Sequence, residues 1–118
     1  MIKAIALLKS RPELSRDEFM RYYETRHVPL MRGLLPETLE YRRNYLELEG
    51  AFIYEGASAP DFDVITEMWF ADRESYERMM AIATRPDIAQ RIAEDEANFL
   101  DRSKTRLFLV DERGAPVT

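Results

Sequence analysis

The sequence predicts an α+β domain with the order strand, helix, strand, strand, helix, strand, its four strands in one antiparallel sheet and its helices on one face. Three observations predict it. The segment FDVITEMWF at 62–70 has a clear period of two, with Phe62, Val64, Thr66, Met68 and Phe70 on one side and Asp63, Ile65, Glu67 and Trp69 on the other. Ser15, followed three residues later by Glu18, opens a stretch in which Phe19, Tyr23, His27, Leu30 and Leu34 fall near one helical stripe. Apolar residues after Asp72 again repeat at helical spacing, and TRLFLV at 105–110 closes the chain as a strand. This order is the ferredoxin-like split βαβ arrangement.

Composition narrows the functional classes. The chain has 118 residues, 22 acidic and 17 basic, one histidine and no cysteine, with a formal net charge of -5. That length and a 46% hydrophobic content suit one core and a single domain over 1–118, with a radius of gyration of about 13 Å. Without cysteine there is no disulfide framework, thiolate zinc site or cysteine nucleophile, and one histidine excludes a multi-histidine metal centre. Apolar runs such as AIALL at 4–8 and MMAIA at 79–83 fall far short of the roughly 20 residues that span a bilayer. The first run is also too short for a secretory signal, so the chain reads as cytoplasmic. Basic residues are scattered and outnumbered, which argues against nucleic acid as a partner.

Each element follows from local chemistry. In IKAIALLK at 2–9 both parities are apolar, as in a strand covered on both faces. Arg11 to Leu14 form a turn before the capping box. Pro29 cannot bond the carbonyl of Thr25, so the first helix is expected to bend or end near His27 and leave backbone acceptors open there. LEYRRNYLEL at 39–48 alternates as a second strand, and Gly50, Gly56 and Pro60 punctuate a loop at 49–61 in which AFIY is a candidate for a short extra strand. Asp72 caps a helix through Ala83. Pro86 and Asp87 restart one whose Ile88, Ile92, Phe99 and Leu100 face inward, with Glu94, Asp95 and Glu96 on its wet side. With both helices on one sheet face, the other face exposes Ile5, Leu7, Ile65 and Trp69, and by the same reading Tyr41 and Tyr45. It is too apolar for water and is expected to meet a second copy, giving a homodimeric α/β barrel with a cavity in each protomer.

His27 is the one side chain whose ordinary pKa, about 6.5, suits acid or base work near neutrality. The competing reading is a buried histidine donating to a backbone carbonyl. Asp63 and Glu67 share a strand face but stand about 13 Å apart at 3.3 Å per residue, so they are no close carboxylate pair. Either can bond His27 or a substrate hydroxyl, or pair with Arg43 or Arg106 for structural reasons. Tyr41, Tyr45 and Trp69 form an aromatic wall for a planar substrate or fill a dimer interface; Tyr23, one turn before His27, is a proton donor or core. No glycine-rich phosphate loop, GxSxG elbow or helical metal-ligand pair occurs in the sequence.

The run LKSRPELSRDEFMRYYETRHVPLM, with YRRN, FDVITEMWF and EDEANFLD, resembles the EthD family of the dimeric α/β-barrel superfamily over about residues 2–112. Its most specific part is the spacing of Phe19, Tyr23, His27 and Pro29; the family often has tryptophan where this chain has Tyr23. The resemblance implies a ferredoxin-like homodimer with a cavity between sheet and helices and no cofactor. Similar barrels include polyketide cyclases, dehydratases, decarboxylases, a lactone isomerase and cofactor-free quinol-forming monooxygenases, and in several a histidine matching His27 moves a proton.

Two functions are therefore expected to compete. The first is a cofactor-independent enzyme that shifts a proton in a small aromatic, polyketide-like or lactone substrate, with cyclisation, dehydration or isomerisation as the outcome. His27 is its acid or base and Asp63 orients the ring, while Tyr23, Tyr41, Arg43, Asn44, Glu67 and Trp69 bind substrate. The second is a non-catalytic protein that binds a small hydrophobic ligand or assists a catabolic oxygenase.

Overall fold

The computed structural model describes residues 1–116. Strand β1 (Ile2–Leu8) leads through a turn to helix α1 (Arg16–Tyr22), a π-helical turn (Tyr23–His27) and helix α2 (Val28–Leu34). Strands β2 (Glu40–Tyr45) and β3 (Val64–Phe70) follow, then helices α3 (Arg73–Ala83) and α4 (Pro86–Glu96), a 3-10 turn (Arg102–Lys104) and strand β4 (Arg106–Val110). The strands lie in the order β2-β3-β1-β4, all neighbours antiparallel. This is the ferredoxin-like α+β topology expected from the sequence.

Helix starts follow the chemistry of their caps. The Ser15 hydroxyl accepts from the Glu18 amide at 3.1 Å, and the Glu18 carboxylate accepts from the Ser15 amide at 2.9 Å. Both orphan donors are satisfied, so α1 begins there. Asp72 caps α3 by accepting from the Ser75 amide at 2.8 Å, and Pro86, lacking a donor, opens α4.

Pro29 does not end the first helical run. The Val28 amide reaches back to the Tyr23 carbonyl, a five-residue step, and α2 continues through Pro29 to Leu34. A wide turn accommodates proline because the missing donor falls where the ladder is already offset. The segment from Leu46 to Asp63 contains no strand, so AFIY stays irregular, and Phe52 (86% exposed) and Tyr54 (73%) project into solvent.

Register decides which side chains meet the helices. Tyr41 pairs with Met68, Arg43 with Thr66 and Tyr45 with Val64, and Val64 and Thr66 are buried. Tyr41, Arg43 and Tyr45 therefore lie on the helix side. This corrects the expectation that Tyr41 and Tyr45 share the bare face: their rings have Phe19 and Tyr23 to pack on, with Tyr45 centred 6.1 Å from Phe19 and 5.9 Å from Tyr23. The bare face instead carries Lys3, Ile5, Leu7, Arg42, Asn44, Ile65, Glu67, Trp69 and Phe108.

The core between sheet and helices forms two apolar clusters. One holds Ala6, Leu8, Phe19, Tyr23, Val28, Val64, Phe99 and Leu100; the other holds Ala4, Leu35, Phe70 and Met79. One layer of helices on one sheet makes a slab of 43 × 42 × 23 Å, and its radius of gyration, 15.5 Å, exceeds that of a compact sphere of this length.

Candidate functional site

The π-helical turn sets the geometry around the histidine. Its larger circumference stacks residues four apart, so Tyr23 and His27 stand one above the other with ring centroids 5.1 Å apart, edge to face. Both are buried, His27 to 3% exposure. Phe99, just beyond α4, packs 4.9 Å from the imidazole and 5.5 Å from Tyr23.

Inside that aromatic cage the imidazole meets a carboxylate. His27 Nδ1 lies 2.5 Å from Asp95 Oδ2, and Tyr22 donates its hydroxyl proton to Asp95 Oδ1 at 2.9 Å. Asn98 Nδ2 donates in turn to the Tyr22 oxygen at 2.9 Å. A carboxylate can only accept, so it holds the ring proton on Nδ1 and leaves Nε2 as a bare acceptor. No buried polar side-chain atom lacks a partner among the described residues. Nε2 has none, so it keeps accessible surface, and His27 lines a cavity of about 270 Å³.

That cavity lies where the two core clusters meet. Tyr23, Tyr41 and Thr66 supply hydroxyls to it, and Met31, Met68, Met79 and Met80 supply apolar wall. The hydroxyls are linked: Tyr23 and Thr66 oxygens are 2.6 Å apart, and Tyr23 and Tyr41 oxygens 3.3 Å. Burial pushes Tyr23 up to about 12 and Tyr41 well above its ordinary value, so both remain neutral donors at physiological pH. Glu96 and Arg102 complete the lining from α4 and the 3-10 turn.

The residues singled out from the sequence fall into three places. His27, Tyr23 and Tyr41 meet at the cavity. Arg43, on the same sheet face, is engaged by Glu24 through Nε at 2.9 Å and Nη2 at 2.6 Å. It also donates to the Tyr41 carbonyl and stacks 5.0 Å from the Tyr41 ring, so it buttresses the wall.

Asn44, Glu67 and Trp69 lie on the opposite, bare face. There Glu67 pairs with Lys3 and accepts from Asn44 Nδ2 at 3.0 Å, while Lys3 and Arg42 sit over the Trp69 ring at 4.7 and 5.5 Å. The hydrogen bond from Lys3 holds the Glu67 carboxyl below its ordinary range. The sheet itself separates these three from His27.

Asp63 does not orient the histidine. Its Oδ2 accepts from the Ser10 amide at 2.7 Å and lies 3.3 Å from Lys9 Nζ, so it ties down the turn after β1. The backbone does not hold the ring either, since the π-helical turn leaves that task to Asp95. Asp95 and Glu96, expected on the wet side of α4, are turned inward instead, with side chains 9% and 16% exposed. The signal was in the spacing: Ile88, Ile92, Asp95 and Phe99 stand at i, i+4, i+7 and i+11, one helical stripe.

A four-stranded antiparallel sheet with every helix on one face, and an apolar cavity between the layers, defines a ferredoxin-like α+β domain. The chain belongs to the EthD domain family, whose model matches residues 11–103. Solved structures agree on the fold. An ethyl tert-butyl ether degradation (EthD) family protein from Bacillus halodurans is 23% identical with a TM-score of 0.63, over 96% of this chain and 100% of that one. A DABB family protein from Mesorhizobium loti with a ferredoxin-like fold is 12% identical with a TM-score of 0.62, over 96% and 97%. A dimeric ferredoxin-like protein from Thermobifida fusca is 16% identical with a TM-score of 0.55, over 92% and 88%. No curated protein matches the chain. No helix among the described residues is long and apolar enough to cross a membrane.

Proposed function

We propose that this protein is a cofactor-independent enzyme in which His27 transfers a proton on a small aromatic, polyketide-like or lactone substrate, giving isomerisation, dehydration or cyclisation. One observation carries the reading: a buried imidazole held by Asp95 through Nδ1, with no partner on Nε2, lines an apolar cavity. A base held in one tautomer by a buried carboxylate is ready to accept a proton without reorganising. The neutral hydroxyls of Tyr23 and Tyr41 then hydrogen-bond a substrate oxygen, and the methionine wall takes the substrate's apolar body.

The working unit is a homodimer in this reading. Ile5, Leu7, Ile65 and a half-exposed Phe108 on the bare face require cover, and the Thermobifida fusca neighbour with the same fold is dimeric.

Exchange of a carbon-bound hydrogen tests the reading without knowledge of the natural substrate. 2-Tetralone, a flat two-ring ketone, is incubated with the protein in D₂O at neutral pH and its deuterium uptake followed by mass spectrometry. Wild type is expected to accelerate exchange over buffer and His27→Gln to lose about 10²- to 10⁴-fold, the usual contribution of a positioned base. Full exchange by a folded His27→Gln variant rules out proton transfer by this residue and leaves ligand binding as the function.

A further inference from the structure

We infer that Glu96 is the second proton-transferring group of the cavity, the acid that works opposite the His27 base on a neutral, flat ketone or lactone; this rests on the reading that His27 moves a proton. Asp95 and Glu96 are neighbours on α4 with different tasks. Asp95 is fully used, one oxygen by His27 and the other by Tyr22. Glu96 spends only Oε1, which accepts from Arg102 Nε at 3.1 Å.

Oε2 of Glu96 has no donor among the described residues, yet no buried side-chain oxygen there lacks a partner. By the same elimination that leaves His27 Nε2 accessible, Oε2 keeps accessible surface, and Glu96 lines the same cavity as His27. Two residues of the cavity wall therefore each keep an unpartnered polar atom, Nε2 of His27 and Oε2 of Glu96. Groups facing Glu96 are His27 from the π-helical turn, Arg102 from the 3-10 turn and Asp95 from its own helix. Burial outweighs the opposing pull of His27 and Arg102 and moves its carboxyl above the ordinary value, which favours the protonated, donating form.

Removing a hydrogen beside a carbonyl leaves charge on oxygen, and an apolar wall cannot carry that charge. Two groups solve this together. Nε2 takes the α-proton, the C–H electron pair becomes the C=C bond of the enol, and the carbonyl oxygen takes the proton of Glu96. The substrate stays neutral while the protein passes from neutral imidazole and carboxylic acid to imidazolium and carboxylate. Return of the proton to another carbon, with the enol proton going back to Glu96, completes an isomerisation and restores both groups.

The wall indicates the substrate class. Four of the six methionines in the chain line this cavity, and flexible thioethers mould to flat rings. Asp95 is engaged by His27 and Tyr22 and Glu96 by Arg102, so the cavity offers no free cation to an anionic substrate and suits a neutral one.

The 2-tetralone exchange assay separates the two ideas. Glu96→Gln, close in shape, is expected to lose at least about 10²-fold in exchange with its thermal midpoint retained or raised, and Glu96→Leu, which needs no hydrogen-bond partner, to lose as much. The wild-type rate should fall on the alkaline side as Glu96 gives up its proton, and that limb should vanish in Glu96→Gln. Near-wild-type exchange by Glu96→Gln beside an inactive His27→Gln overturns the role of Glu96 and leaves that of His27. Full exchange by His27→Gln, or no acceleration by wild type, overturns both.

Discussion

Removing the Asp95 carboxylate tests the centre of the site through stability as well as chemistry. Asp95 accepts from His27 Nδ1 at 2.5 Å and from the Tyr22 hydroxyl at 2.9 Å, and the His27 and Asp95 side chains are only 4% and 9% exposed. In Asp95→Ala the Nδ1 donor stays buried without an acceptor, which costs about 1 to 3 kcal/mol. Tyr22 keeps the hydrogen bond from Asn98 to its oxygen but loses the acceptor for its proton, for about 1 kcal/mol more.

The sum is about 2 to 4 kcal/mol, or a fall in melting midpoint of about 10 °C for a domain of this length. Asp95→Asn still offers an oxygen to Nδ1 and should cost about 1 kcal/mol, while removing the charge that stabilises an imidazolium. The chain has one histidine, so the nitrogen spectrum of its ring is unambiguous. Wild type at neutral pH should carry the ring proton on Nδ1. An Asp95→Ala variant melting within about 2 °C of wild type, or a wild-type ring protonated on Nε2, would refute the argument.

Two further outcomes follow from the same geometry. Glu96 has its folded-state pKa raised above the ordinary 4.5 by burial, so the folded chain binds that proton more tightly than the unfolded one and its stability falls as pH rises from 4.5 through the folded value. Glu96→Gln should therefore be more stable than wild type to urea at pH 7.5 and lose that advantage by pH 4; an equal gain at both would contradict burial as the cause. Phe108, half-exposed beside Ile5 on the bare face, should be central to the proposed dimer, whose interface at full size would exceed about 2,000 Å². Phe108→Glu should give a folded monomer by light scattering at micromolar concentration, and an unchanged mass would remove the case for sheet-to-sheet association.

Strand and helix placement was legible from the amino-acid order because its causes are local. Period-two alternation in 62–70, the Ser15 and Glu18 capping box, Asp72 as a cap and Pro86 as a helix opener each act within a few residues, and each element forms where that chemistry puts it. His27 was legible as the candidate proton carrier through residue type and its spacing from Tyr23. Tertiary structure decided the rest. Which face of β2 meets the helices depends on its pairing with β3, and that register carried Tyr41 and Tyr45 inward while leaving Trp69, Glu67 and Asn44 outside. The carboxylate behind the histidine depends on how α4 packs against Tyr22 and the π-helical turn. Asp63 and Asp95 are equally acidic in the sequence, but only Asp95 stands on the helical stripe that packs against the π-helical turn, 68 residues along the chain from the ring it holds. Side-chain chemistry and short-range spacing are written in the order of residues, whereas contacts across such distances arise only when the layers have packed.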